Sequence, residues 1–465
     1  MDSNIPTYTK DLARYVAGLR FDDIPAEVVA RSKFLILDGI GCGLYGATKE
    51  WSQIMVDALS KLDGKGTATV WGRDVKLSAP HAALANATAV QGFELDDVHY
   101  PGVLHCESLT IPAALSLAEQ SVGTTGKQLL TAFVAGCEAG PRAAMCMRGR
   151  EMLERGWHSG SIVGGFASAA TSSNLLGLDT KQTEHAIGIA GSGASGLMAA
   201  QFGAMVKRMQ HGRACQNGVY AALLASGGFT GIEDVFEVPY GGFCTTFTQS
   251  MDDFDIEQIN AGLGEKFETM RVRIKLYPCV GGCHGPVNTV LVMKQREGFS
   301  ADDIESVRIS GAKAFVEHGG WPFEGRNVTE AQMNMPYSIA AALTDGELTV
   351  SRYTDDAIKD PMVCDLARRI TVQLDEEAPR QGGGEHITIN LKSGGVVAQK
   401  VEPAKGLGSA PESYPEAEAV AKFHDLAGRV VGDRAAEIEE MVLALDTLDD
   451  VQDLAVLLKA NCNQG

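Results

Sequence analysis

The stretch Lys275-Leu-Tyr-Pro-Cys-Val-Gly-Gly-Cys-His284 concentrates an ammonium, a phenol, two thiols and an imidazole. Pro278 fixes φ and removes a backbone donor, while Gly281-Gly282 permits turns that other residues resist. A tight loop presenting Lys275, Tyr277 and His284 suits gripping a carboxylate and moving a proton beside it. The plainer alternative is a helix-entry turn with core cysteines. The Cys279-x-x-x-Cys283 spacing has no partner C-x-x-C in the chain, which argues against a zinc or iron–sulfur centre.

Three further patches carry chemistry. Glu94-Leu-Asp-Asp-Val-His99, followed by His105, sets carboxylates beside imidazoles. Asp96 or Asp97 fixing the tautomer of a catalytic His105 is the leading interpretation; a metal ligand set, or helix caps with exposed histidines, are the alternatives. Gly156-Trp-His-Ser-Gly160 places His158 in a flexible turn. Val206-Lys-Arg-Met-Gln-His-Gly-Arg213 is the densest basic cluster. In a helix Lys207 and His211 share a face there, with Arg208 beside them; a solvated face is the common explanation for such charges. Gly191-Ser-Gly-Ala-Ser-Gly196 matches the dinucleotide fingerprint formally, but its flanks read as helix and no acid stands at the ribose spacing. Close helix packing explains it better.

Positioning these groups falls to a largely helical chain. At 465 residues, two or three domains are expected. Apolar residues recur at helical spacing from Thr7 to about Leu263. Pro25 and Pro112 each stand where a helix begins, and residues 219–225 form a helix ending at Gly227-Gly228. Gly 53 with only 6% aromatics implies helix contacts through small residues. Past about residue 268 the pattern alternates. Residues 306–310, 369–374, 386–391 and 396–401 read as half-buried strands, with Lys392-Ser-Gly-Gly395 a hairpin turn. Helices are expected at 283–295 and 331–343, making this a smaller α+β domain. A Gly/Pro/Ser-rich link at 403–415 leads to a helical tail.

A net charge of −19 repels phosphate backbones and anionic membranes, so nucleic acid and lipid are not expected partners. A small anionic substrate needs a local cation cluster, which makes the basic patches informative. No stretch reaches the roughly 18–20 apolar residues of a membrane span, and the N-terminus lacks a secretory pattern. Scattered cysteines suit a reducing compartment, so a cytoplasmic location is expected.

These patches, in this order, resemble the MmgE/PrpD family, which includes 2-methylcitrate dehydratases, cis-aconitate decarboxylases and iminodisuccinate epimerases. The likeness rests on Gly92-Phe-Glu-Leu-Asp-Asp97 with His105, on the His158, Lys207 and Lys275 patches with His284, and on Ala331-Gln-Met-Asn-Met-Pro-Tyr337; it runs on to Lys422-Phe423 in the tail. The resemblance implies a mainly α fold: a large discontinuous all-helical domain (1–267 and 404–465) plus a smaller α+β lid domain (268–403). It also implies a homodimer and a cofactor-free, metal-free site in the cleft between domains. Carried over by position, Asp96, Asp97, His105, His158, Lys207, Lys275 and Tyr337 would be catalytic. Glu94, His99, Arg208, His211, Tyr277 and His284 would contact substrate. Decarboxylase-like members carry Asp where Glu94 stands, Thr at Val98 and His at Val280. Many members read His-Pro-Gly or His-Pro-Ser where this chain has His105-Cys-Glu-Ser108.

The activities of this family share one demand, a carbanion or enediolate stabilised beside a carboxylate. Lys207 and Lys275 would supply that stabilisation, His158 or His105 would act as base, and Tyr337 would give a proton to a departing hydroxyl. Dehydration of a small hydroxy-polycarboxylate resembling 2-methylcitrate is the expected activity. Epimerisation of an imino- or amino-dicarboxylate, cis-aconitate-type decarboxylation, and polycarboxylate binding without turnover are the alternatives.

Overall fold

Helices that are hydrophobic on every side need partners on every side, and two such helices form the centre of the molecule. Every residue of Glu107–Ala118 is buried, as is Ser159–Leu175 up to Ser173. Around them pack Ala79–Gln91, Gly126–Cys146, Thr180–Ser192 and Val206–Ser226. Small residues permit the closeness. A Cβ on Gly218 would lie 2.4 Å from the backbone nitrogen of Ala169, so Ser159–Leu175 and Val206–Ser226 meet backbone against backbone. That contact brings His158, the N-cap of the first helix, beside Lys207 and His211 at the start of the second.

The computed structural model describes residues 7–379, 384–402 and 416–460; the expected link at 403–415 lies outside them. The fold is mainly α with a small α+β region. Three short strands interrupt the expected helical run: Ala68–Thr69 pairs with Lys76–Leu77, and Asp97–His99 pairs antiparallel with Val272–Ile274. Strands of two or three residues leave no alternation to read. The second ladder matters most, because Asp97 faces Ile274 in register and so sets the acidic patch against Lys275.

Pro112 does not open a helix. It sits inside Glu107–Ala118, whose start is set by Asp97: its two carboxylate oxygens accept the N–H groups of Cys106 and Glu107 at 2.6 and 3.0 Å. Satisfying these otherwise orphaned buried donors outweighs the one hydrogen bond that the proline forgoes. Residues 331–343 form two helices, Val328–Met333 and Met335–Asp345. Asn334 between them is extended (φ −104°, ψ 117°), and its side chain accepts the Tyr337 N–H.

The later strands form one sheet in the order Ile370–Leu374, Ile304–Gly311, His386–Leu391, Val396–Lys400. The first pair is parallel and the others antiparallel, with the expected hairpin joining the last two. Val307, Ile309, Ile387 and Ile389 are buried, near helices His284–Glu297 and Met335–Asp345, which also contact sheet strands. No helix among the described residues is long and apolar enough to cross a membrane.

The tail helix Glu416–Val431 returns to pack on Ala26–Ala47, where Phe423 approaches the space left by Gly41. Lys422 Nζ lies 2.8 Å from the Asp38 carboxylate and donates to the carbonyls of Lys275, at 2.9 Å, and Leu95. One buried ammonium thus ties the tail to both segments that carry the candidate site. Burial lifts Asp38 to about 6 even with Lys422 beside it. Removing one partner of a buried pair costs about 3–5 kcal/mol, so Lys422→Met should lower the unfolding free energy measured by urea denaturation by that order. Adding Asp38→Asn should recover part of the loss, and two independent, additive losses would contradict the pairing.

Candidate active site

Glu94 follows helix Ala79–Gln91 with φ of 55°, a left-handed conformation that strains a non-glycine residue. The turn drives its carboxylate inward, to 1% exposure. Three cations converge on it. Lys207 Nζ meets Oε1, Arg208 Nη1 lies 2.7 Å from the same oxygen, and Lys275 Nζ lies 3.4 Å from Oε2. Lys275 also stands 3.3 Å from Asp96 Oδ1. Burial alone would raise the Glu94 carboxyl, but Lys207, Lys275 and Arg208 hold it well below the usual range. Burial pulls the Lys207 ammonium down to about 8 against the attraction of Glu94. Burial acts on Lys275 likewise, yet Asp96 and Glu94 keep it above its ordinary value.

Beside this hub lie three imidazoles. His105 Nδ1 donates to the Asp97 carbonyl at 2.6 Å and lies 3.4 Å from Asp96 Oδ2, which leaves Nε2 free. His158 Nδ1 donates to Gln210 Oε1 at 2.6 Å. Burial, reinforced by Lys207, holds His158 well below its ordinary value, so it is a neutral imidazole. His211 lies between them, its ring 5.1 Å from His105 and 5.0 Å from His158. Its Nδ1 shares a hydrogen bond with Ser108 Oγ at 3.1 Å, and its Nε2 is buried without a partner. A Cβ on Gly160 would come within 2.5 Å of that nitrogen, so the second glycine of Gly156-Trp-His-Ser-Gly160 makes room for the ring.

A cavity of about 110 Å³ opens onto Glu94, His105, His158 and Lys207, walled by Val98, Leu153, Val280 and Met335. Lys275, Asp96, Arg208 and His211 stand directly behind these groups. Arrayed this way, the side chains can hold an anion against Lys207 and exchange a proton at His105 or His158. Tyr100, Arg150, Ser159 and His318 also line the cavity. Ser159 lies within Gly156-Trp-His-Ser-Gly160 and Tyr100 directly follows His99, but Arg150 and His318 belong to no patch of clustered chemistry, so no local signal marks those two in the sequence.

Several candidates lie elsewhere. The structure does not bring the Tyr337 phenol to the cavity: it donates to the Arg352 carbonyl at 2.5 Å within a packed core. His99 Nε2 pairs with Glu268 at 2.8 Å while Nδ1 accepts the Gly102 N–H. The rings of Tyr277 and His284 pack on each other at 5.3 Å, and His284 Nε2 lies 3.2 Å from the Cys279 carbonyl. Asp97 is the cap described above, pushed up to about 7 by burial and by Asp96. Glu107 lies buried near Asp38, and burial followed by that neighbour raises it far above the carboxylate range.

Ligand atoms of Asp96, Asp97 and His105 fall within 4.8 Å of one another, near enough to share a cation. They make a poor set. Both Asp97 oxygens accept backbone N–H groups, and Asp96 faces the Lys275 ammonium. A metal would have to displace these bonds beside an existing positive charge.

The MmgE/PrpD N-terminal domain matches residues 10–255, and the MmgE/PrpD C-terminal domain matches residues 277–447. The cis-aconitate decarboxylase-like protein oryM of Aspergillus oryzae is 37% identical over 97% of both chains. Cis-aconitate decarboxylase of Aspergillus terreus is 36% identical, covering 99% of this chain and 97% of its own. The mitochondrial 2-methylcitrate dehydratase of Yarrowia lipolytica is 23% identical over 85% of this chain and 78% of its own.

Glu94→Gln tests the hub. Without that charge the Lys207 ammonium should titrate below about 8, and stability should fall by about 3–5 kcal/mol because buried cations lose their counter-ion. Urea denaturation and an NMR titration of isotopically methylated Lys207 measure both; an unshifted Lys207 would contradict the arrangement.

Proposed function

This chain belongs to the MmgE/PrpD family, and from that premise we propose that it is a cofactor-independent lyase of a small polycarboxylate, decarboxylating a tricarboxylate of the cis-aconitate type. The observation that carries the proposal is the convergence of Lys207, His105 and His158, from three separate segments, on one cavity. Full-length similarity to proteins named cis-aconitate decarboxylase supports decarboxylation ahead of dehydration.

In such a substrate an allylic carboxylate leaves as carbon dioxide. Its bond pair moves through the double bond onto the carbon beside another carboxylate, giving an enediolate. Lys207, with Lys275 behind it, meets the developing negative charge in a site that excludes most water. Their ammonium groups are already fixed by Glu94 and Asp96, so little reorganisation is needed. His105, oriented through Nδ1 and with Asp96 to stabilise its imidazolium form, gives the proton from Nε2 to carbon.

A second reading rests on the apolar wall of Val98 and Val280, which suits an alkyl substituent. In it the neutral His158 removes a proton from a methyl-bearing hydroxytricarboxylate such as 2-methylcitrate, and the β-hydroxyl takes a proton from His105 Nε2 and leaves as water. Residues 268–403 would act as a lid on a helical body of 1–267 and 404–465. Two copies would pair in the cytoplasm through the exposed Val206, Tyr220 and Leu224.

Proton NMR of di- and tricarboxylates in heavy water distinguishes the outcomes. Decarboxylation of cis-aconitate releases carbon dioxide and leaves one deuteron on carbon. Dehydration creates a C=C bond with all carboxylates retained, and epimerisation exchanges a stereocentre with nothing lost. Lys207→Ala should lower kcat/KM by about 10²–10³ and His105→Asn by about 10²–10⁴. The wild-type rate should fall as pH rises through about 8, where Lys207 loses its proton. No turnover across the panel would sink the proposal.

A further inference from the structure

The mechanism above leaves one end of the cavity unused. Arg150, in helix Gly149–Glu154, lines it and makes no ion pair among the described residues. In a chain of 59 acids and 40 bases, an arginine that lines a cavity without such a pair needs an explanation. Its planar fork of donors matches a carboxylate. Nearby is His318, just past helix Lys313–Glu317, whose Nδ1 is buried without any hydrogen-bond partner. Leaving such a nitrogen unpaired is unfavourable unless a ligand satisfies it. After burial itself, His318 feels the charges of Lys207, Glu94 and His105 and also that of Arg150, all of them residues of the same cavity lining. Leu153 and Phe315 form the wall alongside.

We propose that Arg150 and His318 form a specificity-determining subsite for a second, non-reacting carboxylate of the substrate. The cavity would then have two anion-holding ends, Lys207 with the imidazoles at one and Arg150 with His318 at the other. A monocarboxylate satisfies only one of them. A di- or tricarboxylate with its acid groups on separate carbons satisfies both and is held with its reacting carbon at His105. This assignment rests on the polycarboxylate reading of the preceding subsection and deepens it.

Calorimetry with propane-1,2,3-tricarboxylate, which has no double bond or hydroxyl to react, tests the subsite directly, with butyrate as the single-carboxylate probe. Arg150→Met should weaken tricarboxylate binding about tenfold to a hundredfold and leave butyrate binding unchanged. In turnover it should raise KM by a similar factor with kcat within about threefold. His318→Phe should weaken the tricarboxylate alone in the same way. Arg150→Lys, which keeps the charge and loses the fork, should fall between wild type and Arg150→Met and covers the case where the methionine variant fails to fold. Wild-type affinity in both Arg150 variants, or equal loss for both probes, would overturn the subsite while the lyase reading stands. A wild-type protein that neither binds the tricarboxylate nor turns over any polycarboxylate would remove both.

Discussion

A carboxylate with almost no solvent contact, Glu94, holds Lys207, Arg208 and Lys275 in place, and the remainder of the site depends on it. Bringing three cations into a protein interior is prohibitive without compensation. Glu94, with Asp96 on Lys275, supplies that compensation and still leaves the group with positive character. The result is a fixed, desolvated electrostatic field facing a cavity. Such a field acts on developing negative charge more strongly than the same groups would in water. The left-handed backbone at Glu94 fits this account, since local strain persists only where surrounding contacts over-determine it.

Keeping that field positive requires control of the other acids close by. Asp97, Asp38 and Glu107 lie near Asp96, and like charges at such separations cannot all ionise. Burial and mutual repulsion push Asp38 to about 6 and Asp97 to about 7, and raise Glu107 well above its ordinary value. Glu107 is thereby shifted toward its neutral form. That explains how the segment His105-Cys-Glu-Ser108 adds an acid without cancelling the cations. Lys422 neutralises Asp38 and in the same contact holds the Leu95 and Lys275 carbonyls. The tail thereby fixes the spacing between the two segments that supply Glu94, Asp96 and Lys275.

Helix packing supplies the other half of the site. Close approach at Gly218 and Gly160 sets the starts of two helices side by side, so a cap residue, His158, meets residues two and six of its neighbour, Lys207 and His211. The short ladder of Asp97–His99 with Val272–Ile274 supplies the remaining juxtaposition. Where this chain has Val98 and Val280, both side chains stand in the cavity wall. These two departures from the decarboxylase-like pattern therefore alter the surface a substrate would touch, while the third, Glu94, keeps a carboxylate among the buried cations.

Residue type and spacing alone made several features legible. Small-residue helices, alternating strands with a Gly-Gly turn, and clustered Lys, His and Asp in an acidic chain are local patterns, set by backbone geometry and composition. From them came the mainly helical fold, the later sheet, and the candidates Glu94, Asp96, His105, His158, Lys207 and Lys275. Which way each group faces was decided only by tertiary packing. Tyr337 and His99 turned to a backbone carbonyl and to Glu268, Asp97 became a helix cap, and Pro112 was absorbed into a helix interior. Arg150 and His318, each isolated in sequence, became cavity residues. The reason is that a buried polar group takes the nearest partner that satisfies it, and for His99, Lys207 and Lys275 that partner lies on a segment a hundred or more residues away.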